Sequence, residues 1–256
     1  MNLDAPRLQV AGLQLRLGDH DVLRGVDLAL HAGELVGLIG PNGSGKSTLL
    51  RAIAGSLPPD RGHIAIEGEN IATDSLAARR RLGFAVDPER LPRLITGRQC
   101  LEIVARLREE EQAIADSLGL AGTLGLGPWL DRPVYAYSLG TRQKLAVVIA
   151  LHGAPSLILL DEVLNGLDPL SAWALKQALR QRTDAGATVL LATHGLEVAE
   201  RLLDRAVLLL DGRIVADWGA ESLARFRDDP EGGLEHAVAE WMRAHRAGGG
   251  SAATTR

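Results

Sequence analysis

Cysteine is almost missing. Cys100 is the only one in 256 residues, so no internal disulfide framework is available and the chain fits a reducing compartment. Taken alone, that thiol reads as a small buried apolar group on a helix. Nowhere do about 18 uninterrupted apolar residues occur, the length a helix needs to cross a bilayer, and Met1 to Arg7 lacks a basic start leading into an apolar run. These absences predict a soluble, cytoplasmic chain whose membrane role, if any, needs a partner that supplies the span. An excess of one charge is also lacking: a formal net charge of −4 and a pI near 6.0 give no overall electrostatic footprint for nucleic acid. There is no internal repeat. At 46% hydrophobic residues the chain can bury one large core, or two lobes that share one.

What is present is a glycine-rich stretch, Gly40, Pro41, Asn42, Gly43, Ser44, Gly45, Lys46, Ser47 and Thr48, which fits the phosphate-loop pattern G-x-x-x-x-G-K-[ST]. Gly43 and Gly45 let successive backbone N–H groups point inward at an anion without Cβ atoms in the way. Lys46 supplies a point charge for the β- and γ-phosphates, Ser47 a hydroxyl for Mg²⁺, and a helix from Ser47 to about Ala54 turns its positive end toward the same phosphates. The flanks agree. Glu34 to Ile39 reads as a buried strand, Leu49, Leu50 and Ile53 form an apolar stripe, and Gly55 stops the helix.

Elsewhere, every second residue is apolar from Leu8 to Leu17 and from Val26 to Leu30, which predicts half-buried antiparallel strands with a turn at Gly18. His63 to Glu67 reads as a short edge strand, Ser75 to Arg81 as a short helix with Arg79, Arg80 and Arg81 on a solvated face, and Leu82 to Val86 as a strand ending at Asp87. A helical insert follows over about 97–153. Core character returns in five residues of buried-strand composition from Leu157, which deliver Asp161 and Glu162 at the strand's C-terminal end, where ligands sit in open α/β sheets. A helix around Trp173 to Arg180, a strand Thr188 to Ala192 ending at Thr193-His194, a helix near Leu196 to Leu203 and a hairpin about Asp211-Gly212 come next. A helix from about Leu234 to Ala244 and a disordered end over 248–256 complete the reading. Strands and helices alternating around a phosphate loop predict an α/β fold with a mostly parallel sheet covered on both sides, preceded by an antiparallel β subdomain.

A phosphate loop says only that a nucleotide binds; the carboxylate pair adds hydrolysis. Asp161 is placed to hold Mg²⁺ and Glu162 to take a proton from an attacking water. Tyr137-Ser138-Leu139-Gly140-Thr141-Arg142-Gln143 then resembles the signature motif of ABC transporter ATPase subunits. Asn165-Gly166-Leu167-Asp168-Pro169 is similar to their D-loop and Thr193-His194 to their switch histidine. The resemblance covers the chain to about Ala220. It implies an ABC-type ATPase domain over 1–222; the residues beyond it read as a C-terminal helical tail over 223–247. It also implies ATP and Mg²⁺ as ligands, and a head-to-tail pair of identical or homologous subunits. In that pair ATP lies between the phosphate loop of one copy and Ser138, Leu139, Gly140 and Thr141 of the other. Asp168 would serve as the D-loop aspartate and His194 as the γ-phosphate sensor.

The departures from the family pattern are specific. Leu17 stands where an aromatic residue usually stacks on adenine, with His20 as a substitute; Asp87 replaces a glutamine and is a further candidate for the metal. Leu139 replaces a glycine, and Val163-Leu164 a Pro-Thr pair. These changes resemble those of exporter-type members. The expectation is therefore an ATPase, peripheral at the inner face of the cell membrane, that powers a separate membrane permease. The rival expectations are a soluble ATPase of the same type acting on a macromolecular assembly, and a nucleotide-dependent binding module with slow hydrolysis.

Overall fold

Each inner strand of the main sheet sends alternate residues into two different cores, and that division organises the molecule. The computed structural model describes residues 5–85, 87–196, 201–229 and 233–247. Among the described residues ten strands form two sheets. The first contains β1 (Leu8–Leu17), β2 (His20–Leu30), β4 (Arg61–Ile66) and β5 (Glu69–Asn70) in the order β2-β1-β4-β5, all antiparallel. The second contains β3 (Leu35–Ile39), β6 (Leu82–Phe84), β7 (Leu157–Asp161), β8 (Thr188–Thr193), β9 (Arg205–Leu210) and β10 (Arg213–Trp218). Its order is β10-β9-β3-β8-β7-β6, parallel except for the edge strand β10.

Val36, Leu38, Leu159, Leu190, Val207 and Leu209 point toward the antiparallel sheet and the helix α1 (Lys46–Ile53), in a core completed by Leu8, Leu13, Leu30, Leu49 and Ile53. Leu35, Ile39, Ile158, Leu160, Leu191 and Leu208 point the other way. There they meet the helices α3 (Gly97–Arg108), α5 (Leu139–Ala150) and α6 (Pro169–Asp184), with α4 (Ile114–Thr123) adding Ala121. In α5 the run Leu145 to Ala150 is buried all round, as expected of a helix lodged inside a core rather than on it. Two C-terminal helices, α7 (Ala220–Asp228) and α8 (Gly233–Ala247), contribute Leu223, Leu234 and Val238 to the same cluster. Helix α7 begins three residues before the helical tail expected over 223–247.

Other differences from the sequence reading have local causes. β2 starts at His20, because Gly25, at φ 90, lets an irregular strand continue through a break in the alternation. β4 is an inner strand, since the two-residue β5 covers its free edge. The arginine run of the short helix α2 (Ser75–Arg80) and Arg81 is not merely solvated: Arg79 donates to the Gly55 carbonyl at 2.8 Å, Arg80 to Glu109 at 2.8 Å, and Arg81 pairs with Glu67. The helix expected near Leu196 to Leu203 lies partly, and the 248–256 end wholly, outside the described residues. Among the described residues no helix is long and apolar enough to cross a membrane.

Asp168 caps α6. Its Oδ1 accepts from the Ser171 N–H at 2.9 Å, and its Oδ2 accepts from Lys144 Nζ of α5 at 2.7 Å and from the Ser171 hydroxyl at 2.7 Å. The bond from Lys144, followed by those from Ser171, holds this carboxyl well below the usual carboxylate range.

Two predictions follow from this packing. A Cβ on Gly83 of β6 would lie 2.0 Å from the Ala150 carbonyl oxygen, so Gly83→Ala should cost roughly 2–3 kcal/mol in urea unfolding. Gly119→Ala in α4, where nothing lies within 4 Å of the new methyl, should gain about 0.5–1 kcal/mol. Because the folded-state pKa of Asp168 is depressed, its stabilising contribution is complete above the unfolded value near pH 4 and fades below it. The stability deficit of Asp168→Asn should be constant from about pH 7 to 5 and narrow below about pH 4 when the two chains are unfolded side by side.

Candidate functional site

The loop that joins β3 to α1 has glycine where the geometry demands it. Gly40 adopts φ 154, Gly43 φ 80 and Gly45 φ 107, values that side-chain-bearing residues rarely take. A Cβ on Gly40 would stand 2.3 Å from the Leu209 carbonyl oxygen and 2.9 Å from Ser44 Oγ, so β9 presses directly on the loop. From behind, the Gly212 N–H at the turn between β9 and β10 donates to the Ser44 carbonyl at 3.1 Å. Asn42 and Gly43 form an exposed crest, whereas Ser44, Gly45 and Lys46 are buried and Pro41, Ser47 and Thr48 are half-buried. Gly45 is the N-cap of α1, which begins at Lys46, one residue earlier than the sequence suggests.

Lys46 is 6% exposed. Its ammonium donates to the carbonyls of Gly40 at 2.7 Å and Pro41 at 3.1 Å and lies 3.9 Å from Glu162 Oε1. Burial lowers its pKa, while the charges of Glu162 and Asp161 raise it. An ammonium has three donors and no acceptor. Two of them now satisfy loop carbonyls that an arriving phosphate could replace.

The acids come from the C-terminal end of β7. Burial raises the pKa of Asp161; a hydrogen bond from Ser47 opposes this, the Glu162 charge adds to it, and Arg51 and Lys46 oppose it. Glu162 sits at φ 52, left-handed for a residue with a side chain, a conformation that costs roughly 1–2 kcal/mol. Its N–H donates to the Ala192 carbonyl at 3.0 Å, and the Glu162 carbonyl accepts from the Asn165 N–H at 3.1 Å. The carboxylate is held on both sides: Oε1 lies 2.9 Å from His194 Nδ1, and Oε2 accepts from Asn165 Nδ2 at 2.9 Å. With Nδ1–H given to Glu162, the other nitrogen of His194 is an acceptor in the neutral ring and a donor only in the charged one.

These groups fit a magnesium-bound triphosphate. Ser44 Oγ and Asp161 Oδ1 are buried without a hydrogen-bonding partner, a state that costs about 1–3 kcal/mol per group until something fills it. Among the described residues no cluster of three His, Cys, Asp or Glu side chains could hold a metal alone. A hard cation beside Ser47 and Asp161 would therefore complete its shell with phosphate oxygens and water, as Mg²⁺ does.

The remaining sequence candidates lie elsewhere. Leu17 is 45% exposed and pairs with His20 across the Gly18 turn, so both sit at one hairpin end. Asp87 follows β6, next to β7, but its carboxylate caps a short turn, accepting from the Glu89 N–H at 3.0 Å. Ser138 is the N-cap of α5, its Oγ accepting from the Thr141 N–H at 3.2 Å and lying 2.8 Å from Thr141 Oγ1. Leu139 is 58% exposed. A Cβ on Gly140 would stand 3.1 Å from the Gly166 carbonyl, and Lys144 reaches Asp168 in the same neighbourhood, so the stretch from Ser138 leans on the loop after Glu162 in its own chain. Val163 is fully buried and Leu164 packs on the same core, which accounts for two apolar residues there. Sequence reasoning gave no separate part to the Asn165 side chain or to Lys144. Position 165, three residues beyond the glutamate in a loop, was the available signal for the first.

A family model described as ABC transporter matches residues 23–165, more than half of the chain. The daunorubicin resistance ATP-binding protein DrrA3 of Streptomyces coeruleorubidus is 34% identical over 218 residues, which is 84% of this chain and 69% of that one. ATP-binding cassette sub-family A member 7 of Mus musculus is 36% identical over 188 residues, 73% of this chain. The chain spans only 9% of that much longer protein. A solved ATP binding subunit of an ABC transporter superposes with a TM-score of 0.83 at 31% identity, covering 91% of this chain and 98% of that one. With a glycine-lined phosphate loop, a buried lysine and an acid pair set beside it, the chain belongs to the ABC transporter family, as one of its ATP-binding ATPase domains.

Proposed function

We propose that two copies of this chain, or one copy and a close relative, close over ATP and hydrolyse it to drive a separate membrane permease in the direction of export. The observation that carries the reading is the placement of Lys46 Nζ 3.9 Å from Glu162 Oε1, a phosphate-binding cation beside a carboxylate base. Gly40, Pro41, Asn42, Gly43, Ser44, Gly45 and Thr48 line the phosphates, and Lys46 exchanges its carbonyl partners for phosphate oxygens. Ser47 and Asp161 would hold Mg²⁺, with Asp87 a candidate from the next strand. When bound, the ion neutralises charge on the β- and γ-phosphate oxygens. Glu162 takes a proton from water as the water oxygen attacks the γ-phosphorus. The bond from that phosphorus to the β-phosphate bridging oxygen breaks, leaving ADP and phosphate. His194 holds Glu162 and senses the γ-phosphate. Ser138, Leu139, Gly140 and Thr141 of the second copy close the other side, and Leu17 and His20 border the adenine.

Export is supported by the resistance protein DrrA3 among the relatives and by the departures at Leu139 and Val163-Leu164. In this reading residues 1–222 act as the ATPase unit, 223–247 as a helical extension packed on it, and the permease holds the chain at the inner face of the cell membrane. Purification from detergent extracts should bring down a multispanning membrane protein; a soluble complex alone would overturn the permease and favour action on a soluble assembly.

Two kinetic outcomes test the rest. Glu162→Gln should bind ATP as the wild type does and lose about 10²- to 10⁴-fold in turnover, whereas unchanged turnover removes Glu162 from the role. Lys46→Ala and Ser138→Arg chains should each be inactive alone, yet their mixture should regain turnover, since a mixed pair retains one site built from an intact loop and an intact Ser138. A mixture as inactive as its components would exclude a site shared between two copies.

A further inference from the structure

We propose that Asn165 is a positioning residue for hydrolysis, its side-chain amide fixing the Glu162 carboxylate in the orientation from which it meets the attacking water. The inference rests on Glu162 being the base. A glutamate reaches its carboxylate through three rotatable bonds, and a base must hold its lone pair within a narrow range of direction. The backbone here fixes the point from which that side chain starts. At φ 52, Glu162 turns the chain sharply, and its carbonyl accepts from the Asn165 N–H at 3.1 Å. The turn folds the Asn165 side chain back over the acid, where Nδ2 donates to Oε2 at 2.9 Å.

The opposite oxygen, Oε1, faces His194 Nδ1 at 2.9 Å and Lys46 Nζ at 3.9 Å. Rotation of the carboxylate would break the bonds on both sides at once. The two clamps differ in permanence, because Lys46 and His194 have phosphate as an alternative partner, and Asn165 is attached to the same turn as the acid. Once a nucleotide draws the other two away, the amide is the side-chain donor that stays with Glu162. It is also neutral, so it orients the acid without adding a second cation beside Lys46.

Steady-state ATP hydrolysis by the purified full-length chain tests this, with nucleotide binding measured in the same preparations to report folding. Asn165→Ala should lower kcat roughly tenfold, the loss of about one well-placed hydrogen bond, with KM within about twofold. Asn165→Asp has nearly the same shape but offers an acceptor in place of the donor, and should fall further. Asn165→Ser keeps a donor and should recover part of the loss. Because the backbone bond that closes the turn is present in all three, a role in the turn alone would not produce this ranking. In a Glu162→Gln background, Asn165→Ala should lower the residual rate no further. Wild-type kcat in Asn165→Ala, or equal losses in both backgrounds, would overturn the inference. Wild-type turnover that does not depend on Glu162 would instead overturn the reading on which it rests.

Discussion

A buried ammonium set against two carboxylates is the constraint that the rest of the structure serves. Withdrawing Lys46 from water disfavours its charge, and withdrawing Asp161 disfavours its charge as well; each is tolerable because the other lies nearby. The proximity comes from strand order. β3 and β7 both flank β8, in parallel, with Ile39 level with Thr193 and Asp161 level with Ala192. The residues that follow these three strands therefore emerge at one end of the sheet and at one height. Lysine, glutamate and histidine, far apart in the chain, arrive together there.

The loop between Glu162 and Asp168 is committed at both ends. Asn165 grips the acid, while Asp168 caps α6 and receives Lys144 from α5. Gly166 lies so close to Gly140 that a side chain at 140 would press on its carbonyl. Glu162 and the helix that starts at Ser138 are thus joined through a few residues of one loop. Under the proposed pairing that helix would serve the opposite nucleotide, and the acid of one site and the cap of the other would then share one short segment. Behind the phosphate loop, the turn at Gly212 plays a similar supporting part through its bond to the Ser44 carbonyl.

Much of this was readable in advance, and the reasons are local. The phosphate loop is legible because its glycines, lysine and serine must occur at fixed spacing for one backbone to surround an anion. The buried strands are legible because short apolar runs end abruptly in Asp161-Glu162 and Thr193-His194. Less readable were features whose cause is a neighbour distant in sequence. β4 is an inner strand because β5 covers it, α7 is a helix that docks Leu223 against the main core, and Arg79, Arg80 and Arg81 find partners that no window around them contains. The same holds for Asn165 and Lys144, ordinary polar residues whose significance lies in what they touch.

The sequence by itself therefore determined the chemistry and the order of its parts: an anion cradle, a cation, two acids and a histidine, each at the end of a strand that its own side-chain pattern specifies. Those patterns act over a few residues, and local backbone preference and alternation suffice to set them. Tertiary structure alone decided which oxygen of Glu162 meets which donor, that Asp168 is spoken for by Lys144, and that Gly140 lies against the Gly166 carbonyl. Such outcomes depend on strand order and on packing across two cores, where contacts between residues a hundred positions apart fix directions to within a hydrogen bond's tolerance.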